Sequence, residues 1–388
     1  MRVAFVVPCL REVAGWRSAS LGAIRALREF EGVEPVLIIS ETDRTAAREL
    51  MPGTETLELS EVQFMAFDRP RSWRRLAGCW NHLRRVDLAR IDLVHSLEAY
   101  PSGLVGHWLA KRLRVGHVLT AIGTYAVQWR YRFPDRWAYQ AVLRGAGAVC
   151  PISLGTATLM RRCFPRALAA KKLRVVLLGC STTDRVSRAE AEASGSDHPI
   201  LLSVGGVKRR KGYHVCIEAF AQIRQRLPKA EYWIAGSVND RKYLDALRAQ
   251  IAALDLGGVK FLGEVSVEEL DRLYRSASVF LLAPQQGDRK FEGFGLVFLE
   301  AGAYGVPVVA TRSGGVPDAV EDEVTGFLCA PDDSAALADS ALSLLQDKEL
   351  ARRMGIANRR RAEFLSWERF AAEQMTIYEE IMDSPVSA

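Results

Sequence analysis

Two wound parallel sheets of the α/β class are what this 388-residue chain predicts, on three observations. Short β-rich apolar runs alternate with amphipathic segments along most of its length, the pattern of parallel strands joined by crossover helices. At roughly 150 residues per domain the chain is too long for one ordinary core, and two domains is the working number. Hydrophobic residues make up 49% and charged residues 25%, the balance of a soluble globular protein, which excludes a disordered chain and a membrane-embedded one.

The first apolar run, Val3 to Leu10, is interrupted by Pro8 and closed by Arg11 and Glu12. It falls short of the about 20 residues a spanning helix needs and lacks a cleavage-site pattern, so it reads as a buried first strand, and the expected compartment is the cytoplasm. Strands of the first half are expected at Val3–Val7, Val36–Ile39, Leu57–Leu59, Leu93–His95, His117–Thr120, Ala148–Ile152 and Arg174–Leu177. Those of the second half are expected at Ile200–Val204, Tyr232–Ala235, Lys260–Leu262, Val279–Leu282, Val308–Ala310 and Gly326–Cys329. Between the halves, Gly179 to His198 is rich in Ser, Thr, Ala and Asp and lacks an apolar face, as a linker does. Beyond the second sheet, Trp367, Phe370, Ala371, Met375 and Tyr378 recur at three- and four-residue intervals and predict a last amphipathic helix. The expected organisation is a Rossmann-like domain at 1–180, a linker at 181–198, a second such domain at 199–365 and a terminal helix within 366–388. Seven scattered cysteines with no C-x-x-C pair read as reduced, buried thiols.

The segment Phe291-Glu292-Gly293-Phe294-Gly295-Leu296-Val297-Phe298-Leu299-Glu300-Ala301 is the most informative. It follows a strand, its two glycines allow close backbone approach, and a helix is expected to start near Gly295. A helix start offers unpaired N–H groups and a partial positive charge, for which a diphosphate is a natural ligand. Glu292 precedes that helix and Glu300 lies more than a turn inside it, so the two carboxylates do not easily share a metal but can grip hydroxyls at two ends of a ligand. Either one alone would usually be solvated. Glu300, however, is set among Leu296, Val297, Phe298, Leu299, Ala301 and Ala303, where an unpaired charge is costly, so it needs a partner. A second element, Val204-Gly205-Gly206-Val207-Lys208-Arg209-Arg210-Lys211-Gly212-Tyr213, reads as strand end, basic loop and helix. Four consecutive cations beside glycines can neutralise a departing diphosphate in place of a metal; a solvated basic turn is the plain alternative.

These residues resemble the retaining, two-domain glycosyltransferases of family 4 (glycosyltransferase group 1 type). The family's E-x7-E motif is matched by Glu292 and Glu300, and the likeness runs on through Gly305-Val306-Pro307-Val308-Val309-Ala310-Thr311, Ser313-Gly314-Gly315-Val316-Pro317 and Thr325-Gly326, and upstream through Phe261-Leu262-Gly263 and Glu269-Leu270. The resemblance implies the GT-B architecture: two Rossmann-like domains facing across a cleft, the donor bound by the C-terminal one, the acceptor by the N-terminal one, and a C-terminal helix returning toward the N-terminal domain. By the same resemblance Glu300 holds the ribose hydroxyls of a UDP- or GDP-sugar and Glu292 those of the transferred sugar. The backbone at Phe294, Gly295 and Leu296 approaches the diphosphate, and neither a metal nor another cofactor is expected.

The chain departs from the family pattern at two places. The basic loop of the family carries an Arg five residues before the Lys-Gly that Lys211 and Gly212 match. Here that position is Gly206, so the charge falls to Lys208 or Arg209; the expected donor contacts are Gly205, Gly206 and Lys208, with Lys211, Arg209 and Glu292 catalytic. After the fifth strand the family places a His before Gly-Thr, and here Ile122 occupies it. Thr124, Tyr125 or His95 is left to meet the reacting sugar on the acceptor side, although a His at a strand end is commonly a satisfied core residue. The first loop, Pro8 to Ser20, contains only Gly15 in place of a double glycine, and Gly15 is taken as the donor contact there.

The net charge of +6 hides an asymmetry, with 27 Lys and Arg against 15 Asp and Glu over residues 1–180, a balance of +12 that leaves −6 for the rest. In Arg69 to Arg85, with Trp73 and Trp80, and in Trp129 to Trp137, with Arg130, Tyr131, Arg132, Phe133 and Arg136, the charge lies beside aromatic rings. That chemistry suits an anionic membrane surface presenting a lipid-linked or glycan acceptor, and a solvated helix face is its plain alternative. Single-stranded nucleic acid would fit too, but no recognition module accompanies the charge, so nucleic acid is not expected. The expected function is transfer of a sugar in cell-surface polysaccharide or lipopolysaccharide assembly, in the cytoplasm and peripheral on the inner face of the membrane. The alternative is a donor-binding protein without transfer activity, given Ile122 and Gly206.

Overall fold

The run from Val3 to Val7 is screened from solvent at every side chain, because it lies inside a sheet covered on both faces. The computed structural model describes residues 1–11, 15–59, 80–84, 90–131, 135–168, 172–181, 186, 198–287 and 290–384. The chain divides into two compact units, one of Met1–Gly179 with Trp367–Ala388 and the other of Cys180–Ser366. Most of the expected linker lies outside the described residues.

In the first unit β1 (Arg2–Val6), β2 (Glu34–Ser40), β3 (Glu55–Leu59), β4 (Leu93–Ser96), β5 (Gly116–Ala121) and β6 (Ala148–Pro151) pair in parallel in the order β3-β2-β1-β4-β5-β6. The helices whose bounds lie within the described residues include α1 (Gly15–Phe30), α2 (Arg44–Leu50), α3 (Ser102–Leu113), α4 (Asp135–Gly145) and α5 (Leu154–Cys163). The run Arg174–Leu177, expected as a seventh strand, is not one. Its amides at Arg174 and Val176 donate to Val149 O at 2.9 Å and Pro151 O at 3.1 Å, so it follows the edge of β6 as extended chain without completing a ladder.

In the second unit β7 (Ile200–Val204), β8 (Glu231–Ala235), β9 (Val259–Gly263), β10 (Val279–Leu282), β11 (Val308–Thr311) and β12 (Gly326–Cys329) are again all parallel, in the order β12-β11-β10-β7-β8-β9. Its helices are α6 (Tyr213–Arg226), α7 (Arg241–Ala253), α8 (Val267–Ser276), α9 (Leu296–Ala303), α10 (Val316–Ala319), α11 (Ser334–Gln346) and α12 (Lys348–Phe364). Both sheets share one topology, in which the strand order reverses once. The reversal falls between β1 and β4 in one unit and between β7 and β10 in the other, and open α/β sheets bind ligands beyond the strand ends at such a point.

The last helix, α13 (Trp367–Met382), belongs to the first unit. Its Trp367 ring lies where a Cβ on Gly22 of α1 would stand, and Ile381 packs over Gly116 and Gly147. The buried stripe is Phe370, Ala371, Gln374, Ile377 and Tyr378, with Met375 only half-buried, so the apolar face is rotated from the expected one. No helix among the described residues is long and apolar enough to cross a membrane.

Candidate active site

The basic loop leaves β7 through Gly205 and Gly206 and closes in a 3-10 turn at Arg209–Lys211, where Lys211 N donates to Lys208 O at 2.9 Å. Gly212 follows with φ +72° and starts α6; a Cβ there would lie 1.7 Å from Ala283 O, so only glycine lets the turn press against the end of β10. The two loops are also tied by Gln285 N, which donates to Arg210 O at 2.8 Å. The turn is thereby held at the crevice between β7 and β10.

Glu292 enters the same place from the loop after β10. Its Oε2 is 2.6 Å from Lys211 Nζ and 2.9 Å from Arg210 Nη1. Its backbone carbonyl accepts from Gly315 N at 2.9 Å, which anchors the loop to the chain after β11. Glu292 and Lys211 are both buried. Burial pushes the Glu292 carboxyl up, but Lys211 and Arg210 more than offset it and hold the group below its ordinary range. Burial pulls the Lys211 ammonium down, against the raising effect of Glu292. The cluster therefore holds two cations on one carboxylate, a net positive charge in a water-poor site.

Gly295, with φ +93°, caps α9 beside this cluster; a Cβ on it would meet the Phe298 ring at 2.5 Å, so the helix starts there on a glycine. Phe294 is buried and Leu296 half-buried at that start. One turn on, the half-buried Glu300 accepts from Tyr274 Oη at 2.9 Å, the kind of partner its apolar setting demands. Tyr274 of α8 is itself stacked on Tyr304, with ring centroids 5.1 Å apart, and Tyr304 Oη donates to Asp271 at 2.7 Å. The far end of α9 is fixed by α12, whose Asn358 Nδ2 donates to Val306 O at 2.8 Å and Arg359 Nη1 to Ala303 O at 2.5 Å. Both carboxylates thus sit on a rigidly held loop and helix.

The expected residues do not all meet. Arg209 is exposed, and its charge adds to burial in lowering the His214 imidazole, while Arg210 takes the place beside Glu292. Lys208 is exposed, and its stem runs beside Gly206, with Cε 3.6 Å from where a Cβ on that glycine would stand. In the first unit Gly15 is the exposed first residue of α1, and a Cβ there would meet nothing within 4 Å, so no close approach requires it. His95 is corrected to a core residue: it is fully buried, with Nδ1 2.5 Å from Tyr378 Oη and Nε2 2.7 Å from Thr120 Oγ1. With both nitrogens engaged inside the core it has none to offer a sugar. Thr124 and Tyr125 are half-buried in the 3-10 turn Gly123–Ala126, which follows β5 directly, and Ile122 is the residue before that turn.

Two family models tile the chain: "Glycosyltransferase Family 4" over residues 21–184 and "Glycosyl transferases group 1" over residues 185–361. A GDP-mannose-dependent alpha-(1-6)-phosphatidylinositol monomannoside mannosyltransferase of Mycolicibacterium smegmatis is 30% identical over 280 residues, covering 69% of this chain and 71% of that one. The chain belongs to glycosyltransferase family 4. An uncharacterized glycosyltransferase of Methanocaldococcus jannaschii is 26% identical over 77% of this chain and 78% of its own. Among solved structures, Anabaena HepE in complex with UDP and glucose superposes with a TM-score of 0.75 at 17% identity, over 98% of this chain and 100% of that one, a likeness of fold. The fold of this family 4 glycosyltransferase is GT-B.

Two residues of the glycosyltransferase escaped sequence reasoning. Arg210 stands in a run of four cations, which has no periodicity to say which one turns inward. Glu98, at the end of β4 and so at the reversal point of the first sheet, is buried, and its carboxylate accepts from Ala99 N at 2.6 Å. Burial pushes its carboxyl well above the ordinary value, against the backbone amides of Ala99 and Tyr100. A charged residue after a strand gives no sign of burial, and no pattern would have singled it out.

Proposed function

We propose that this family 4 glycosyltransferase moves a hexosyl group from a nucleoside-diphosphate sugar to an acceptor hydroxyl, with retention of anomeric configuration and without a metal. The observation that carries the reading is the Lys211 and Arg210 pair on Glu292, 2.6 and 2.9 Å away, at the strand-order reversal and beside the start of α9. A cationic, water-poor crevice next to a helix N-terminus stabilises a departing diphosphate as its charge develops. Lys211, Arg210 and Lys208 supply that charge, together with the amides at Phe294, Gly295 and Leu296. Both cations bind Oε2 of Glu292, so Oε1 is the oxygen that accepts from a hydroxyl of the transferred sugar. Glu300, oriented by Tyr274, takes the ribose hydroxyls.

The anomeric carbon loses its bond to the phosphate oxygen and gains one to the acceptor oxygen on the same face, and the leaving phosphate receives the acceptor proton. No further base is required. A GDP-mannose-dependent relative and a neighbour holding UDP and glucose support a nucleotide-sugar donor of either base. On the acceptor side Thr124 and Tyr125 meet a lipid-linked or glycan acceptor of cell-surface polysaccharide or glycolipid assembly, at the cytoplasmic face of the membrane.

A thermal-shift series with UDP- and GDP-sugars tests the donor reading, since a ligand at 100 times its dissociation constant adds about 2.7 kcal/mol of stability. The stabilising sugar is then offered with lipid extracts as acceptor, with and without chelator. Transfer that survives the chelator and keeps the anomeric configuration is expected. A protein that binds a nucleotide sugar yet never turns it over would instead be a donor-binding subunit.

A further inference from the structure

Between Glu98 and Asp184 the chain carries thirteen Lys and Arg and a single acid, Asp135. That acid is buried, holding Tyr100 Oη at 3.1 Å, so it does not offset the charge at the surface. The turn Gln128–Tyr131, α4 and the end of α5 pack against one another in the interior of the unit. Arg130 Nη1 donates to Cys163 Sγ at 3.7 Å, and the rings of Tyr139 and Phe164 meet edge to face at 5.1 Å. On the outside of these packed elements Arg136, Arg161, Arg162 and Arg166 are exposed, as are two aromatic rings, Trp137 at 71% exposure and Tyr131 at 42%. Burying an indole would ordinarily stabilise a fold, and here it is left in water beside cations.

We infer that this face of the first unit docks on an anionic lipid bilayer, with Trp137 and Tyr131 at the headgroup level and the arginines on lipid phosphates. An indole has an apolar body and a polar edge, which suits the boundary between acyl chains and water, and guanidinium groups pair with phosphate. The turn follows the end of β5 directly after Thr124 and Tyr125, so the face adjoins the residues proposed to meet the acceptor. The inference rests on the reading of that acceptor as lipid-linked, and it names the surface that brings the enzyme to it. A peripheral, salt-sensitive attachment follows, because a few cations and two rings contribute far less than a spanning helix.

Sedimentation with vesicles of phosphatidylcholine alone, and of phosphatidylcholine mixed with phosphatidylglycerol, tests the inference on the full chain. The wild type is expected on the mixed vesicles and in the supernatant of the neutral ones. At about fivefold per cation near an anionic surface, the triple variant Arg161→Glu, Arg162→Glu, Arg166→Glu loses roughly a hundredfold or more in partitioning. Trp137→Ala loses several-fold, and its defect grows as salt is raised and the apolar contact is left to carry the binding. Circular dichroism and the nucleotide-sugar thermal shift, read on the same samples, are expected unchanged in these surface variants. Equal binding of the triple variant and the wild type to mixed vesicles overturns the docking face, as does a wild type that takes a single-stranded oligonucleotide and ignores both vesicles. Failure of the donor reading shows separately, as a wild type that no nucleotide sugar stabilises.

Discussion

Lys211 and Arg210 share one carboxylate oxygen, and the pH dependence of transfer follows from that arrangement. On the proposed reading Glu292 works as an ionised acceptor, so activity is expected above its pKa and is lost as pH falls through it. Burial raises that pKa while the two cations lower it further than burial raises it. Arg210→Ala removes one cation, and the acid limb of kcat/KM is expected to move to higher pH, with Arg210→Lys restoring most of the shift. An acid limb that stays put would show that Arg210 acts only on the fold. Lys211→Ala is the harsher change: it removes the cation at 2.6 Å from Glu292 and, on the proposed reading, a direct stabiliser of the diphosphate. A loss of about 10²–10³ in kcat is expected, the usual cost of one such group, with the donor thermal shift reduced as well.

At the scale of elements, the site depends on two loops pressed together at the ends of β7 and β10. Gly212→Ala tests that contact. A left-handed backbone costs a non-glycine residue about 1–2 kcal/mol, and the added Cβ would stand 1.7 Å from a backbone oxygen that has little room to give. A lowered Tm of the second unit together with weakened donor binding is expected, and an unchanged donor shift would mean the loops are not coupled. The strands around this site were legible because buried parallel strands are unbroken apolar runs, as in Val279–Leu282, and the helix start at Gly295 because glycine marks a backbone that other residues avoid. Glu300's need for a partner was legible from its apolar neighbours, but the partner, Tyr274 of α8, was not, since a contact 26 residues away leaves no local pattern. Arg174–Leu177 misled for the opposite reason. An apolar run states that a segment is buried, and whether it completes a ladder depends on its neighbour. His95 misled similarly: its two partners come from β5 and from α13, 283 residues along the chain.

The first unit as a whole, built from both ends of the chain, concentrates buried histidines. His95, His107 and His117 lie on β4, α3 and β5, all buried, and burial lowers them to about 3, about 4 and about 3. His117 reaches Ser96 Oγ at 3.0 Å through Nε2, while its Nδ1 is buried without a hydrogen-bond partner. In the unfolded chain each titrates near the ordinary imidazole value of 6.5, so between 6.5 and about 4 the unfolded state binds three protons that the folded unit refuses. Stability is then full above 6.5 and falls as pH drops through this window. Glu98 acts the other way, because its raised carboxyl keeps a proton in the fold that the unfolded chain has released above 4.5. Three imidazoles set an upper bound on the order of 4 kcal/mol per pH unit, which Glu98 reduces. Among the described residues of the second unit His214 is the one histidine shifted in this way, and it is only half-buried. Calorimetry from above pH 6.5 down to about 4 should therefore resolve two transitions, with that of the first unit descending faster and carrying the loss of α13, whose Tyr378 is bonded to His95. His117→Asn, which removes one titrating ring, flattens the descent by about one proton. Parallel descent of both transitions would assign the acid sensitivity to the charge of the whole chain instead of to these three rings.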